Sequence, residues 1–514
     1  MIEEQWRKLQ NGSDIRGVAL EGVEGERINL TPHIAEKIAC AFCIWLSKKT
    51  GKLLQNIRIS VGHDSRLSAH ALTEGVINGM TGLGCDVYDF GLASTPAMFM
   101  STVLHGYQYD GAVMLTASHL PFNRNGLKFF TRDGGLEKSD ITSLLETAEC
   151  SQFLLGETKR SVHKVDFISV YAAHLVDKIR KDCNDIEDYM KPLKGLHIIV
   201  DAGNGAGGFF AEKVLLPLGA DTSGSQFLDP DGTFPNHIPN PEDKEAIESI
   251  QKAVLDNKAD FGIVFDTDVD RAGAVDKNGK EINRNRIIAL MASIVLEEHP
   301  GTVVVTDSIT SDELKVFIEE KLGGIHHRFK RGYKNVINEA VRLNNEGRES
   351  HLAIETSGHG ALKENYFLDD GAYLISKVLI KIARLKKEGK TIDVLLDDLK
   401  EPVEATEFRL NILEKDFTVY GNYIIDQLKG YAEKSEGWIV ATDNYEGIRV
   451  SFNKNNGNGW FLLRLSLHDP LMPLNIESRE PGGIKTILSE LIKFLSMYPE
   501  IDVKTIWNYL EGCC

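Results

Sequence analysis

The chain has 514 residues, of which 42% are hydrophobic and 26% are charged, a composition typical of globular proteins. By length it should contain about two to five domains. The 75 acidic residues outnumber the 58 basic ones and give a net charge of -17, which argues against nucleic acid or an anionic membrane as a partner, since both favour basic surfaces.

The start of the chain and its hydropathy indicate the cellular compartment. No stretch approaches the roughly 20 apolar residues of a membrane span. The first residues, MIEEQW, do not resemble a signal or transit peptide, so we expect a cytoplasmic protein.

Cys40 and Cys43 form a CxxC pattern that could be a redox pair or half of a zinc site. No second CxxC accompanies it, and its apolar surroundings favour reduced thiols buried on one helix face.

Strand-like apolar runs alternate with helical patterns along most of the chain. The strand-like runs are residues 57–61, 111–115, 197–200, 261–265 and 302–306. This alternation predicts α/β domains with parallel or mixed sheets. Gly or Asp follows most of these runs, so polar loops should lie at the carboxyl ends of strands, where such folds bind ligands.

Three changes in composition divide the chain into expected domains. They fall near residues 155–165, 276–280 and 386–402. The expected domains are residues 1–163, 164–281, 282–400 and 401–514. In the last domain three strand patterns precede a closing helix near residues 483–497, which predicts a small α+β domain.

The loop after the strand-like run at 111–115 carries the first residues suited to chemistry. Its sequence, TASHLPFNRNGLK at residues 116–128, places Ser118 beside His119 and ahead of Lys128. A hydroxyl in such a loop can act as a nucleophile when its neighbours handle protons and charge. The alternative is a polar turn in which Ser118 has only a structural role.

A glycine-rich segment in the middle of the chain suggests a different class of enzyme. Residues 203–208, GNGAGG, fit the GxGxxG pattern between a strand-like run and a helical pattern at 209–216. With Asp221 near the acidic position of a dinucleotide fingerprint, the segment could belong to a nicotinamide-dependent oxidoreductase. Alternatively, the glycines only allow a helix to pack closely against a strand.

Three aspartates follow the strand-like run at 261–265. The sequence DTDVDR at 266–271 places Asp266, Asp268 and Asp270 at alternate positions of an extended loop, so their carboxylates should project together. Hard oxygen ligands of this kind suit Mg²⁺, and the repulsion between the carboxylates calls for a cation. The spacing does not fit an EF-hand, and the alternative is a solvated acidic turn.

Two later segments could bind the polar groups of a ligand. The sequence ETSGHG at 355–360 offers donors and acceptors for sugar hydroxyls. The sequence RLSLHDP at 464–470 combines Arg464 and Ser466 with backbone N–H groups that can hold a phosphate dianion. The sequence contains no GxxxxGK[ST] segment, which argues against a P-loop kinase.

Taken in chain order, these segments resemble the motifs of the α-D-phosphohexomutase family, which includes phosphoglucomutases and phosphomannomutases. The similar segments are DIRG at 14–17, GHDSR at 62–66, TASHLP at 116–121, GTFPNHIPNP at 232–241, DTDVDR at 266–271, KRGY at 330–333, ETSGH at 355–359 and RLSLHDP at 464–470. The chain departs from the family patterns at Leu120, Thr267, Val269, Ile354, Leu467 and His468, which stand for Asn, Gly, Gly, Gly, Asn and Thr.

The resemblance implies four domains around a central cleft, three of them related α/β domains with mixed sheets and the last an α+β domain. It also implies a mutase that interconverts hexose 1-phosphate and hexose 6-phosphate, with glucose or mannose as the sugar. The reaction would pass through a phosphorylated Ser118 and a hexose 1,6-bisphosphate intermediate. Mg²⁺ would be held by the phosphoserine together with Asp266, Asp268 and Asp270.

The same resemblance implies roles for further residues. His119, Lys128 and Arg16 would transfer protons or stabilise charge beside Ser118. The residues implied in substrate binding are Arg66, Arg271, Lys330, Gly332, Tyr333, Glu355, Ser357, His359, Arg464, Ser466, Leu467 and His468. Contacts from Glu355 and Ser357 to O3 and O4 would not distinguish the two configurations at C2, so glucose and mannose phosphates should both fit. A phosphoglucosamine mutase is an alternative within the family.

Overall fold

The computed structural model describes residues 3–156, 160–466 and 469–512. This part of the chain forms two compact units. The first unit comprises Met1–Ile294 and Ser357–Leu396, and the second comprises Val295–Thr356 and Asp397–Cys514. Within the described ranges, none of the helices has the length and hydrophobicity needed to span a membrane.

The first unit begins with a mixed sheet that has eight strands among the described residues. The strands are β1 (Gln10–Asn11), β2 (Asp14–Val18), β3 (Arg58–His63), β4 (Asp86–Leu92), β5 (Gly111–Leu115), β6 (Arg124–Thr131), β7 (Gly134–Gly135) and β8 (Val162–Lys164). They lie in the order β1-β2-β6-β5-β3-β4-β8, and β7 pairs with β6. Strands β5, β3, β4 and β8 are parallel, whereas β6 is antiparallel to both of its neighbours.

The helices that accompany this sheet pack over it and fill its core. They are α1 (Glu4–Arg7), α2 (Pro32–Thr50), α3 (Ala69–Gly82), α4 (Thr95–Val103) and α5 (Lys138–Cys150). The sequence sets both ends of α2, because Thr31 caps its first turn and Gly51 ends it with φ at +69°. Phe42 of α2 packs against Phe129 of β6 with ring centroids 4.8 Å apart. Cys40 lies buried on α2, and burial raises the pKa of its thiol to about 12, consistent with a structural role.

A smaller mixed sheet follows in the same unit. Its elements are α6 (Phe167–Cys183), β9 (Ile198–Asp201), α7 (Lys244–Asn257), β10 (Phe261–Phe265), β11 (Ala272–Asp276) and β12 (Glu281–Ile282). The strand order is β12-β11-β10-β9, with β10 parallel to β9 and antiparallel to β11. Where the sequence predicts a helix at 209–216, the structure has a wide π-helical turn at Phe210–Leu215 and a tight turn at Leu216–Leu218. Pro217 accounts for this irregular end, because it has no N–H to continue an α-helix.

Helix α8 (Asn285–Glu298) leads from the first unit into the second. The next elements, in the second unit, are β13 (Val303–Asp307), α9 (Asp312–Val316), β14 (Ile325–Phe329), α10 (Tyr333–Asn345) and β15 (Ser350–Ile354). Strand β13 lies between β14 and β15 and is parallel to both. The chain then returns to the first unit with the antiparallel pair β16 (Gly360–Leu362) and β17 (Leu368–Asp369) and with α11 (Gly371–Lys387).

The second unit ends with an antiparallel sheet that has five strands in the described ranges. The elements are β18 (Glu404–Asn411), α12 (Phe417–Ala432), β19 (Trp438–Val440), β20 (Ile448–Phe452), β21 (Gly459–Leu463), β22 (Leu471–Ser478), α13 (Gly483–Leu495) and α14 (Lys504–Glu511). The strand order is β18-β22-β21-β20-β19. Helices α12 and α13 pack on this sheet around a core that includes Leu428, Phe461 and Leu488.

The expected fold class is confirmed in each region: mixed α/β sheets come first, and an antiparallel α+β region closes the chain. The expected boundaries after residues 163, 281 and 400 stay predictions, and so does the central cleft.

Candidate active site

The loop that carries Ser118 follows β5, whose residues are all buried. Ser118 has a left-handed backbone conformation with φ at +52°, which few residues other than glycine adopt. Its N–H donates to the hydroxyl of Thr116 at 2.9 Å and so closes the turn. Strained backbone of this kind is concentrated at functional sites, where the surrounding structure holds it in place.

The hydroxyl of Ser118 meets charged groups from a second loop of the first unit. Its Oγ lies 3.0 Å from Asp266 Oδ2, to which it can donate, and it accepts from Arg271 Nη2 at 2.9 Å. His119 Nδ1 lies 3.3 Å away. The structure therefore brings together Ser118, His119 and the loop at 266–271, which the sequence predicted separately.

Asp266, Asp268 and Asp270 converge at the end of β10. Each is at most 1% exposed, and one carboxylate oxygen from each lies within 4.8 Å of the others. Val269 lies between two of them, fully buried and with φ at +66°, a conformation that is rare for a β-branched residue. The loop is therefore not a solvated acidic turn, and the expectation that three carboxylates meet is confirmed.

Basic side chains balance part of this negative charge. Lys128 Nζ lies 2.9 Å from Asp268 Oδ2 and 2.5 Å from Asp270 Oδ2. Burial opposes ionisation of Asp270, but Lys128, His359 and Arg271 overcome it and lower the pKa of that carboxyl. Burial, with repulsion from the other two aspartates, raises the pKa of Asp266 well above its usual range.

The remaining oxygens of the cluster fit a metal ion. Asp268 Oδ1 and Asp270 Oδ1 are buried without a hydrogen-bond partner among the described residues. A buried carboxylate oxygen in that state is unfavourable unless a cation binds it. The cluster can therefore hold a metal ion, since its three carboxylates converge and two of their oxygens accept no hydrogen bond from the described residues.

Two histidines near the cluster have opposite charge states. Burial and the positive charge of Arg271 lower the pKa of His119 to about 2, so its imidazole is neutral and Nδ1 accepts from Arg271 Nη2 at 2.7 Å. Burial opposes the charge of His359, but Asp369 and Asp270 raise its pKa to about 9. His359 Nδ1 lies 2.5 Å from Asp369 Oδ2. Environments that separate two like groups in this way are typical of catalytic sites.

Arg66 and Arg16 lie near the Ser118 loop in different ways. The side chain of Arg66 is fully buried and donates to the backbone carbonyl oxygens of Ser118, Leu120, Pro121 and Arg124. Arg66 therefore stabilises the backbone of the loop that carries Ser118. Arg16 is on β2, where its Nη2 lies 3.3 Å from Asp14 Oδ2.

In the second unit, the segment at 330–333 precedes α10. Gly332 has φ at +114°, and its N–H donates to Glu355 Oε1 at 2.6 Å. The N–H of Arg331 donates to Glu446 Oε1 at 3.0 Å, and the hydroxyl of Ser308 donates to the same oxygen. Carboxylates thus fix the loop that carries Lys330 and Tyr333.

The segment at 464–470 connects β21 and β22 in the same unit. Arg464 Nε is buried and has no hydrogen-bond partner among the described residues. Burial lowers the pKa of Arg464, and the positive charge of the nearby Arg331 guanidinium lowers it further. Ser466 Oγ accepts from the N–H of Asp469 at 3.2 Å. The expected contacts of Leu467 and His468 lie outside the described residues.

Family models match most of the chain. The domains I, II and III of phosphoglucomutase/phosphomannomutase, each described as alpha/beta/alpha, match residues 7–150, 171–279 and 283–402. This chain belongs to the phosphoglucomutase/phosphomannomutase family. The family expected from the sequence motifs is confirmed, and so is the expectation of an enzyme, since this is a family of mutases.

Relatives of this phosphohexomutase match along nearly all of their length. A Pseudomonas putida phosphomannomutase/phosphoglucomutase is 31% identical over 87% of this chain and 89% of its own. A Thermococcus kodakarensis phosphoglucomutase/phosphomannomutase is 30% identical over 95% of this chain and 98% of its own. A crystal structure of a phosphoglucomutase/phosphomannomutase family protein from Burkholderia thailandensis is 28% identical, with a TM-score of 0.78 over 97% of this chain and 98% of its own.

In this phosphohexomutase, the glycine-rich segment at 203–208 packs against the aspartate loop. A Cβ on Gly205 would lie 2.6 Å from the carbonyl oxygen of Thr267, and a Cβ on Gly208 would lie 2.3 Å from that of Leu228. The N–H of Ala206 donates to the Thr267 carbonyl at 2.8 Å. These contacts favour the close-packing interpretation over a dinucleotide site.

Two residues that contact the candidate site were not predicted from the sequence. Thr95 donates from its hydroxyl to Asp268 Oδ2, and Glu446 holds the loop at 330–333 as described above. The only sequence signal at Thr95 is the helix start Ser94-Thr95-Pro96, and at Glu446 it is an acidic residue before a glycine turn. Neither pattern indicates a site, because capping and turn residues are common in all proteins.

Proposed function

We propose that this chain interconverts hexose 1-phosphate and hexose 6-phosphate, with glucose or mannose as the sugar, through a phosphorylated Ser118. The observation that carries the proposal is the position of Ser118 Oγ, between Asp266 Oδ2 at 3.0 Å and Arg271 Nη2 at 2.9 Å, beside three buried aspartates. Phosphoryl transfer depends mainly on positioning and on charge stabilisation, and this arrangement supplies both.

The reaction has two phosphoryl transfers. In the first, O6 of hexose 1-phosphate forms a bond to the phosphorus on Ser118, the Oγ–P bond breaks, and the proton that O6 loses ends on Ser118 Oγ. In the second, Ser118 Oγ forms a bond to the phosphorus on O1 of the 1,6-bisphosphate, the O1–P bond breaks, and O1 receives the proton that Oγ loses. The sugar then leaves as hexose 6-phosphate. Arg271 would stabilise negative charge on Oγ as the Oγ–P bond breaks, since its guanidinium already donates to that atom.

The histidines and Lys128 would manage charge around the transfer. Because His119 Nδ1 accepts from Arg271, the hydrogen of its neutral ring is on Nε2 and can be donated to a phosphoryl oxygen. His359, held as an imidazolium by Asp369, adds positive charge. Lys128 pairs with Asp268 and Asp270 and lowers the pKa of Asp270, and Arg66 holds the loop that carries Ser118.

The metal ion proposed for the cluster is Mg²⁺. Asp266, Asp268 and Asp270 would hold it together with an oxygen of the phosphoserine, and oxygen-only ligands are what Mg²⁺ prefers. When bound, Mg²⁺ would neutralise charge on the phosphoryl oxygens.

Residues in several parts of the chain would hold the substrate. The proposed contacts are Lys330, Gly332, Tyr333, Glu355, Ser357, His359, Arg464, Ser466, Leu467 and His468, with Arg16 near the phosphoserine. They would come from the four expected domains, residues 1–163, 164–281, 282–400 and 401–514. A small phosphorylated sugar is compatible with the net charge of -17 because these basic residues act locally, whereas nucleic acid and anionic membranes would be repelled.

The experiment is a coupled assay with glucose, mannose and glucosamine 1-phosphates side by side, combined with mass spectrometry of the purified protein. Phosphate should be found on Ser118, and Ser118→Ala should abolish mutase activity while remaining folded. Ser139→Ala, which changes an exposed serine, is the control and should be fully active. Turnover of Ser118→Ala at the wild-type rate would overturn the mechanism, and a strong preference for glucosamine 1-phosphate would overturn the substrate assignment.

A further inference from the structure

The two carboxylate oxygens of Asp268 have different environments. Oδ2 accepts from the hydroxyl of Thr95 at 2.5 Å and from Lys128 Nζ at 2.9 Å. Oδ1 is buried and has no hydrogen-bond partner among the residues that the structure describes. Oδ2 therefore accepts hydrogen bonds from the protein, whereas Oδ1 is available to a ligand.

Thr95 contacts Asp268 through both its backbone and its side chain. It is the first residue of α4, after the capping residue Ser94, and its own N–H donates to the backbone carbonyl of Asp268 at 2.9 Å. Thr95 is 3% exposed and Asp268 is fully buried, so water does not compete for these bonds. As a β-branched residue, Thr95 has a stiff χ1, which makes its hydroxyl a well-defined donor. The positive end of α4 also favours a carboxylate at this point.

We propose that Thr95 is a positioning residue for the metal site. Its two bonds fix the backbone and the rotamer of Asp268, so that Oδ2 faces the protein and Oδ1 faces the metal ion. The inference rests on the proposed function, because it takes the three aspartates as the metal ligands. Groups that orient a metal ligand in this way commonly affect metal affinity by about 10- to 100-fold.

The test measures Mn²⁺ binding to the full-length protein by electron paramagnetic resonance, with no substrate present. Thr95→Val keeps the shape of the side chain but removes the hydroxyl, and it should raise the Kd for Mn²⁺ by about 10- to 100-fold. Thr95→Ser keeps the hydroxyl and should stay within about threefold of wild type, in line with a role for the hydrogen bond itself.

Thr102→Val is the matched control. Thr102 is buried on the same helix, but its hydroxyl donates to the backbone carbonyl of Phe99 at 2.7 Å and not to the metal loop. This variant loses a hydroxyl of the same kind, so its thermal unfolding midpoint should fall about as far as that of Thr95→Val. Its Kd for Mn²⁺ should stay within about twofold of wild type, because no metal ligand is involved.

Two results would contradict the role of Thr95 without contradicting the proposed function. One is a Kd for Thr95→Val within about twofold of the wild-type value, and the other is an equal loss of affinity in Thr102→Val. If Thr95→Val does not fold, Thr95→Ala is measured by the same method against the same limits. If the wild-type protein itself does not bind Mn²⁺, the metal assignment fails, and with it the part of the proposed function on which the inference rests.

Discussion

Ser118 and Asp266 are separated by 148 positions in the chain, yet Ser118 Oγ lies 3.0 Å from Asp266 Oδ2. Each residue belongs to a loop that directly follows a fully buried strand, β5 in one sheet and β10 in another. The pair therefore joins the hydroxyl that we propose as the nucleophile to the three-carboxylate cluster. Changes to the cluster should for this reason affect catalysis at Ser118 as well as metal affinity.

Loss of one carboxylate should weaken metal binding. Asp268→Asn replaces a charged oxygen ligand by a neutral one, so the Mg²⁺ concentration for half-maximal activity should rise by at least about tenfold, with partial recovery of activity at high Mg²⁺. The measurement is an activity titration with Mg²⁺, and Asp256→Asn, at an exposed position, is the control. Full activity of the wild-type protein in excess EDTA would show that the cluster is not a catalytic metal site.

Arg464 should contribute strongly to binding of the substrate phosphate. Its buried Nε lacks a partner in the described chain, and a charge-assisted hydrogen bond is worth roughly 1.5–3 kcal/mol. Arg464→Ala should therefore lower kcat/KM by about 10- to 150-fold, mostly through KM, while phosphorylation of Ser118 changes less. Arg464→Lys should recover only part of the loss, because a point charge cannot replace the guanidinium fork. If kcat/KM for Arg464→Ala stays within about twofold of wild type, other residues bind the substrate phosphate, and Lys330 and Arg331 are the next candidates.

A methyl group on Gly205 should disturb the aspartate loop. The added Cβ would lie 2.6 Å from the Thr267 carbonyl oxygen and 2.8 Å from its Cα, so backbone must move. Gly205→Ala should destabilise the protein by about 1–3 kcal/mol and weaken Mn²⁺ binding, as measured by urea unfolding and a metal titration. Gly430→Ala, in α12 with open space around the new Cβ, should stabilise by about 0.5–1 kcal/mol. Equal effects of the two substitutions would rule out the steric explanation.

His237 should make the stability of the first unit depend on pH. Its Nδ1 lies 2.9 Å from the carbonyl oxygen of Ile238 and its Nε2 lies 3.1 Å from both carboxylate oxygens of Asp201, so both nitrogens face acceptors and the protonated ring is favoured. Burial opposes this charge, but the bonds to Asp201 and Ile238 raise the pKa of His237 above its usual value.

Because this pKa is raised, the stabilisation is fully present below the unfolded-state pKa of about 6.5 and is lost as the pH rises through the folded-state value. The urea midpoint of wild type should therefore exceed that of His237→Gln most at low pH, and the difference should shrink above about pH 6.5. His105→Gln, at an exposed position, is the control for the substitution itself. A difference that grows with pH would contradict the raised pKa of His237.

Strands β3, β5, β9, β10 and β13 could be predicted from local pattern, because each contains a short apolar run. Strands β5 and β10 have the bounds that the sequence predicts. Strand β22 was missed, since Pro473 lies within it and proline normally argues against an inner strand. In the structure, β22 lies between β18 and β21, and the carbonyl oxygen of Pro473 accepts from the N–H of Arg464.

The sequence by itself determined which loops form the proposed site, because Ser118 and the three aspartates stand in contiguous motifs directly after recognisable strands. The tertiary structure decided what those groups contact. Thr95 contacts Asp268, which is 173 positions away, Lys128 lies between two carboxylates, and Arg66 donates to backbone carbonyl oxygens. The spacing of residues along a chain sets local conformation, whereas the partners of a buried charge depend on how distant segments pack, and no local pattern encodes that packing.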